Sequence, residues 1–147
     1  MAQATHVPTF SLVLETPAAD AAMALRHFAA KLAHETDPSD VYVDQQKGVQ
    51  GFVVVDTRSR DSFAAGHVPG SINLPYRTIS LETTSRIPKD TLVIAYCTGP
   101  ACNASTKGAA RFAALGYRVK EMIGGIEGWM AEGYPLATTA TPTPVSA

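Results

Sequence analysis

The chain has 147 residues, of which 46% are hydrophobic and 17% charged, and its 12 Lys and Arg residues nearly balance 13 Asp and Glu residues. A chain of this length buries about 70% of its unfolded surface, which predicts one soluble globular domain that needs no disulfide or metal to form its core. The near-neutral balance, without a Lys or Arg cluster, argues against nucleic acid or an anionic membrane as a partner. No apolar run near the N-terminus is long enough for a signal peptide or a membrane span, so we predict a cytoplasmic protein whose thiols stay reduced.

The beginning of the chain divides into a segment and a helix. Residues 1–15 show little periodicity and form an N-terminal segment. Thr16 and Pro17 are typical of a helix start, and the apolar residues that follow recur at helical spacing. These signals predict an added amphipathic helix over residues 16–35. We expect its apolar face to pack within the chain rather than on a partner.

A second helix is predicted shortly afterwards. Ser39 and Asp40 are its expected cap, residues 41–47 its body, and Gly48 stands where a helix often ends. The β-branched residues of this stretch leave a strand open as an alternative.

The remaining elements alternate between apolar runs and helical patterns. Strands buried on both faces are predicted at residues 51–56, 92–96 and 119–123. Helices are predicted at about 103–115, before Gly116, and at 126–132, before Gly133. A strand, a helix and a further strand in this order predict a parallel sheet. Residues 137–147 contain only Ala, Thr, Pro, Val and Ser, so we expect a flexible tail behind a domain over residues 16–136.

Cys97 follows the second buried run directly, and a loop leads from it at once into the next helix. The loop residues are Thr98, Gly99, Pro100, Ala101, Cys102 and Asn103. Small residues in such a loop direct backbone N–H groups inward, and the start of a helix adds positive potential. Both effects stabilise a thiolate, so we expect the pKa of Cys97 to lie below the free value of about 8.5 and the sulfur to act as a nucleophile. The loop alone leaves open a buried cysteine without a chemical role.

Four segments stand in a fixed order along the chain. They are Val53-Val54-Val55-Asp56-Thr57-Arg58, then Phe63 to Pro75 with Gly66-His67-Val68-Pro69-Gly70 inside it, then Tyr96-Cys97 with the loop, then Gly124-Gly125-Ile126-Glu127-Gly128-Trp129 through Gly133-Tyr134-Pro135. In this order and at these separations they resemble the rhodanese family of sulfurtransferases, over about residues 39–136. The resemblance implies a single α/β domain with a central, mainly parallel β-sheet flanked by helices on both faces.

The resemblance also implies a reaction. In this family a cysteine takes a sulfane sulfur from a donor, becomes a persulfide and passes the sulfur to a thiol or another thiophile, so that the transfer occurs in two steps. Cys97 would be the catalytic residue, and backbone N–H groups of residues 98–103 would hold the anionic persulfide. No cofactor or metal is implied. The partners would be a small sulfur donor and a thiol acceptor, and the oligomeric state stays open.

The composition of the loop bears on the substrate. Phosphatase and arsenate-reductase relatives use a loop one residue longer that ends in a phosphate-binding Arg, whereas here six residues, Cys97 to Cys102, precede Asn103. The loop holds no Lys or Arg, and Cys102 stands where an Arg is common, so thiosulfate is not assured as the donor and a protein persulfide fits better. Cys102 is also a candidate resolving thiol for Cys97.

A second class of function stays open on the sequence. A rhodanese-like module that senses redox state, carries sulfur or binds other proteins without turnover would share the same fold.

Several other residues have candidate roles. Asp56 and Arg58 end the first buried strand at the same sheet edge as Cys97, and we expect an ion pair, with a substrate role for Arg58 as the alternative. Arg77 is a candidate substrate-binding residue. His67 is expected to be structural and Trp129 to lie in the core. No His or Cys spacing predicts a metal site.

Overall fold

The computed structural model describes residues 9–139, and its elements alternate between helices and strands. The helices are α1 (Leu12–Glu15), α2 (Ala21–His34), α3 (Pro38–Gln46), α4 (Arg60–Ala65), α5 (Ala104–Ala114) and α6 (Gly125–Ala131), with a 3-10 helix at Tyr76–Thr78. The strands are β1 (Glu35–Thr36), β2 (Phe52–Asp56), β3 (Ile72–Asn73), β4 (Leu92–Tyr96) and β5 (Val119–Met122). Two compact units divide the chain between Lys31 and Leu32.

The five strands form one sheet in the order β1-β5-β4-β2-β3, and each neighbouring pair is parallel. In the centre, Val55 of β2 lies opposite Ala95 of β4, which in turn lies opposite Glu121 of β5. All carboxyl ends of parallel strands meet at one edge of the sheet, and Cys97 follows β4 at that edge. The predicted parallel sheet is therefore confirmed.

Helices cover both faces of this sheet. On one face, Val54 and Ile94 form a buried cluster with Trp129 of α6, and Val41 of α3 belongs to the same cluster. On the other face, Phe112 of α5 packs in a second cluster that includes Val55 and Val93. Successive strand residues point to opposite faces, which separates the two clusters. The two-sided covering that the resemblance implied is present, and Trp129 lies in the core as expected.

Helix α3 starts earlier than the sequence predicted. Asp37 caps α3, because its carboxylate accepts a hydrogen bond from the backbone N–H of Asp40 at 2.9 Å. Pro38 occupies the first helical position, where a missing N–H costs nothing. The predicted cap at Ser39 and Asp40 is therefore wrong, and the strand alternative is excluded.

The amphipathic helix α2 differs from its prediction in its start and in its burial. It begins at Ala21 rather than at Thr16 and Pro17, and Asp20 accepts the N–H of Met23 at 2.9 Å. None of the α2 residues is buried, and Phe28 of the apolar face is 58% exposed. The burial that we expected for this face is absent from the described part of the chain.

Short elements escaped the sequence analysis. They are α1, α4, β1, β3 and the 3-10 helix, each of six residues or fewer, which is too short for a periodic signal. The structure also describes the first three residues of the predicted flexible tail. Ala137 exchanges two backbone hydrogen bonds of 2.9 Å with His67, and the N–H of Thr139 binds the carbonyl of Ala64. Residues 1–8 and 140–147 lie outside the described residues.

Within residues 9–139, no helix combines the length and the apolar character that crossing a bilayer requires.

Candidate active site

The Cys97 loop is held by the first turn of α6. The N–H of Ile126 donates to the carbonyl of Cys97 at 2.9 Å, and the N–H of Glu127 donates to the carbonyl of Thr98 at 3.0 Å. These are N–H groups that have no partner inside their own helix, so the loop supplies the acceptors that the helix start requires. The arrangement fixes Cys97 relative to α6.

Gly125 makes this close approach sterically possible. Its φ is +58°, and a Cβ at this position would overlap the carbonyl oxygen of Cys97. A residue with a side chain would therefore strain the backbone and displace the loop. The second glycine of the Gly124-Gly125 pair is thus a structural requirement of the site.

Cys97 faces a cavity of about 390 Å³. Ser105 and Thr106 of α5, Glu121 of β5 and the Gly124-Gly125 turn contribute to its walls. Of the described residues that line this cavity, only Glu121 carries a formal charge at neutral pH. The cavity has room for a small sulfur compound beside the thiol.

Cys97 is 3% exposed, and both hydrogen bonds that its Sγ donates go to oxygen atoms. Its Sγ donates to the carbonyl oxygen of Cys102 at 3.2 Å and to the Oγ of Ser105 at 3.3 Å. Burial raises the pKa of Cys97, and the hydroxyl and N–H of Ser105 offset only part of that rise, while Cys102 adds to it. The expectation of a lowered pKa is therefore wrong, because the sulfur is desolvated and the neighbouring Cys102 thiol adds to the rise.

The lowered pKa that we expected for Cys97 is found at Cys102 instead. Burial raises the pKa of this half-buried thiol. This rise is outweighed by the N–H of Ala104, the Cys97 side chain, the N–H of Thr98 and the charge of Lys107, so the pKa of Cys102 is lowered overall. Cys102 lies at the start of α5, where free N–H groups and the helix dipole favour an anion. The more acidic of the two thiols is Cys102.

The rest of the loop surrounds these two thiols. The N–H of Cys102 is donated to the carbonyl of Gly99 at 3.0 Å, so it closes a turn. Pro100 has no N–H to donate, and Asn103 occupies the N-cap position of α5. Both cysteines are free thiols.

Glu121 is a site residue that the sequence analysis missed. Its Oε2 accepts hydrogen bonds from the Oγ of Ser105 and from the Oγ1 of Thr106, both at 2.9 Å. A chain of hydrogen bonds therefore runs from Cys97 through Ser105 to Glu121. The one available signal was a charged pair, Lys120 and Glu121, within a predicted buried strand.

Asp56 and Arg58 pair with each other at the end of β2. Their closest oxygen and nitrogen lie 2.7 Å apart, and the Asp56 carboxylate also accepts the hydroxyl of Tyr96 at 2.8 Å. Burial lowers the pKa of Arg58, but Asp56 outweighs it and the pKa is raised. Burial, followed by the charge of Asp56, raises the pKa of Tyr96. The guanidinium also donates to the carbonyl of Gly66 at 2.6 Å, so Arg58 forms hydrogen bonds with protein groups, as expected for a structural ion pair.

A second cavity, of about 380 Å³, is also lined by loop residues, Thr98 and Cys102. Arg58, Arg77 and Cys102 are among its lining residues, whereas Cys97 is not. Arg77 donates to the hydroxyl of Tyr76 at 2.9 Å. The structure therefore places Arg77 near Cys102 and away from the Cys97 cavity.

His67 packs against Phe63 of α4. Its ring stacks on Phe63 with centroids 3.7 Å apart, and its Nδ1 lies 2.8 Å from the Phe63 carbonyl oxygen. Among residues 9–139 there is no group of three or more His, Cys, Asp or Glu side chains that could hold a metal ion.

Comparison with known proteins agrees with this fold. The sequence model of the rhodanese-like domain family matches residues 38–132. The chain belongs to the rhodanese-like domain family. Its Cys97 loop therefore follows the central strand of a rhodanese-like sheet.

Two similar proteins illustrate the relationship. The BH2092 protein from Bacillus halodurans has a crystal structure that superposes with a TM-score of 0.80 at 45% identity, covering 82% of this chain and 88% of that one. The Escherichia coli protein YibN is 41% identical over 92 residues, which are 57% of this chain and 59% of YibN.

A third relative carries a sulfurtransferase name. The adenylyltransferase and sulfurtransferase uba4 of Ogataea parapolymorpha is 28% identical over 90 residues, 60% of this chain and 23% of that protein. The rhodanese-like chain thus spans less than two thirds of the curated relatives it matches.

Proposed function

We propose that this rhodanese-like domain is a sulfurtransferase that moves a sulfane sulfur from a donor to a thiol through a persulfide on Cys97. The observation that carries the proposal is the position of Cys97. Its sulfur lies at the carboxyl edge of the sheet, in a cavity large enough for a small donor, on a loop that α6 and α5 hold in place. Membership of the family and the sulfurtransferase name of one relative support it.

The reaction balances without an added oxidant or cofactor. In the first step the sulfur of Cys97 attacks the outer sulfur of a persulfide R–S–SH, and the S–S bond of the donor breaks. The departing R–S⁻ takes the electron pair and the proton that Cys97 loses, which leaves Cys97–S–SH and R–SH. An acceptor thiol then attacks the outer sulfur and becomes a persulfide. The departing Cys97 sulfur takes the electron pair of the broken S–S bond and the proton that the acceptor loses, which restores the Cys97 thiol.

Intact-mass analysis tests the proposal directly. The reduced protein is exposed briefly, in separate samples, to thiosulfate and to a low-molecular-weight alkyl persulfide. We expect a gain of about 32 Da, one sulfur atom, that cyanide or a thiol removes.

Two variants assign the adduct. Cys97→Ser should abolish it while the fold stays intact, because the change replaces one sulfur atom on a loop. Cys102→Ser is the matched control and should retain it. An adduct that persists in Cys97→Ser and disappears in Cys102→Ser would refute Cys97 as the sulfur carrier.

A second candidate function is a redox response through a Cys97–Cys102 disulfide. Both thiols face the same cavity, the Sγ of Cys97 lies 3.2 Å from the Cys102 carbonyl oxygen, and the pKa of Cys102 is lowered. Peroxide would oxidise one thiol to a sulfenic acid with release of water, and the other thiol would condense with it and release a second water.

Peroxide treatment followed by peptide mapping tests this candidate. We expect a loss of about 2 Da and a Cys97–Cys102 crosslink that a reductant reverses. Formation of stable sulfinic acid on either cysteine, without a crosslink, would refute it and leave the sulfurtransferase proposal untouched.

A further inference from the structure

The hydroxyl of Ser105 has one proton, and two neighbours compete for it. The ionised carboxylate of Glu121 only accepts hydrogen bonds, and the Ser105 Oγ lies 2.9 Å from its Oε2. When Ser105 donates to Glu121, only its lone pairs remain for Cys97, 3.3 Å away. Cys97 must then be the donor, which requires it to carry its proton.

The carbonyl oxygen of Cys102 acts in the same direction. It lies 3.2 Å from the Cys97 sulfur and, like the lone pairs of Ser105, it attracts a thiol and repels a thiolate. While Ser105 donates its proton to Glu121, these two oxygen atoms therefore favour the neutral form. The N–H of Ser105, and its hydroxyl when it turns towards the sulfur, lower the pKa of Cys97 instead. Of the two, the Ser105 bond is the adjustable one, because a hydroxyl can turn from acceptor to donor.

Charged groups around Glu121 do not cancel its charge. Glu35 of β1 lies opposite Glu121 in the sheet, so a second carboxyl group shares its face. Lys120 precedes Glu121 in β5 and lines a different cavity, together with Asp40 and Asp44.

The neighbouring helices complete this arrangement. On α6, the carboxylate of Glu127 lies against Gly99 of the loop. On α5, the charge of Lys107 acts on Cys102 and its ammonium lies over the Tyr76 ring. Arg58 is bound to Asp56. A donor that enters the Cys97 cavity thus meets negative charge and no cation among the described lining residues.

We propose that Glu121, acting through Ser105, keeps Cys97 in the neutral thiol form and selects sulfur donors of low negative charge, such as an alkyl or peptide persulfide, over the dianion thiosulfate. The proposal has two halves: the protonation half concerns the neutral form of Cys97, and the donor half concerns the choice of sulfur donor. The donor half rests on the proposed sulfurtransferase function, whereas the protonation half does not. Both halves have one cause, a fixed carboxylate that disfavours further negative charge next to the reacting sulfur. Glu121 is in this sense a positioning residue and Ser105 is the group that touches the reacting atom.

The pH dependence of Cys97 alkylation by the uncharged reagent iodoacetamide tests the protonation half. All variants carry Cys102→Ser, so that one thiol is followed. Glu121→Gln removes the charge at constant size, and we expect the alkylation midpoint to fall by about one pH unit, which is about a tenfold gain in thiolate below the midpoint. Glu121→Met, of similar length, should shift it in the same direction.

A matched control and a double variant show whether the effect passes through Ser105. Thr106→Val removes the other donor to the same carboxylate oxygen without touching the chain to Cys97, and the midpoint should stay in place. In a Ser105→Ala background, Glu121→Gln should lose at least about half of its shift. An unchanged or raised midpoint in Glu121→Gln, or a full shift without Ser105, would overturn this half.

Rates of persulfide formation in the 147-residue chain test whether Glu121 selects the donor. With thiosulfate, Cys97–S⁻ takes the sulfane sulfur and sulfite leaves with the electron pair, so a dianion must approach. Glu121→Gln should raise this rate about tenfold, while the rate with an alkyl persulfide should rise less than about threefold. An equal gain with both donors would refute the selection. If no donor forms an adduct on the unaltered protein, the donor half fails together with the proposed function, and the iodoacetamide profile still decides the protonation half.

Discussion

Gly125 couples the geometry of the Cys97 loop to the first turn of α6. Its backbone lies in the left-handed region, and its Cα is packed against the carbonyl of Cys97. The next residue, Ile126, donates its N–H to the same carbonyl. One residue therefore provides both the conformation and the space for the contact that fixes the thiol.

Gly125→Ala should therefore destabilise the protein more than an ordinary glycine replacement. We expect a loss of about 2–4 kcal/mol in the free energy of unfolding, since backbone strain and overlap with the loop add together. Gly133→Ala is the matched control, because Gly133 has a φ of +80° and open space around its Cα. The control should lose only about 1–2 kcal/mol. Urea denaturation of both variants measures the difference, and equal losses would show that the overlap is relieved without cost.

At this scale the sequence located the Cys97 loop but not its electrostatics. Cys97 could be placed at a strand end because the apolar run before it and the helix after it are local signals. The pKa of Cys97 depends on burial by groups distant in sequence, so local geometry predicted the wrong direction. Glu121 was missed for the same reason, since its contact with Ser105 exists only once α5 packs beside β5.

Among the elements, α3 depends on a cap residue, Asp37, that directly precedes its first helical residue. Asp37 accepts the N–H of Asp40, and the carbonyl of Asp37 accepts the N–H of Val41. Val41 in turn belongs to the core cluster beneath α6. The cap thus stabilises a helix that covers one face of the sheet.

Asp37→Ala should lower the free energy of unfolding by about 0.5–2 kcal/mol, because an N–H at the helix start loses its acceptor. Ser39→Ala is the control, since Ser39 lies inside the first turn and is exposed, and its effect should stay within about 0.5 kcal/mol. Thermal or urea unfolding compares the two. A larger loss in Ser39→Ala would mean that Ser39, as the sequence pattern suggested, is the cap.

Long elements could be predicted and short ones could not. β2, β4 and α5 appeared close to their observed bounds because buried parallel strands and an amphipathic helix leave continuous patterns. The two-residue strands β1 and β3 exist only through their pairing with β5 and β2. Their formation is a consequence of tertiary contacts and has no local signature.

At the scale of the whole molecule, burial is uneven along the chain. The residues described before Leu32 include none that is buried, whereas both hydrophobic clusters lie within the larger unit. Apolar side chains that remain exposed contribute little to the free energy of folding. The stability of the rhodanese-like domain therefore resides in the part of the chain after Lys31.

Removal of residues 1–31 should change the free energy of unfolding by less than about 1 kcal/mol, because none of the described residues 9–31 is buried. Phe112→Ala in the 147-residue chain serves as the reference and should cost about 3–5 kcal/mol, since Phe112 is fully buried. Chemical denaturation followed by tryptophan fluorescence reports on Trp129 in each protein. A loss in the shortened protein as large as that of Phe112→Ala would contradict this division.

The short outer strands have a consequence for behaviour in concentrated solution. The sheet ends in β1 on one side and β3 on the other, and each is only two residues long. An edge of that length offers few free backbone groups onto which a strand of another molecule could add. The same brevity that hid these strands from sequence analysis therefore protects the folded domain against aggregation by edge-to-edge strand pairing.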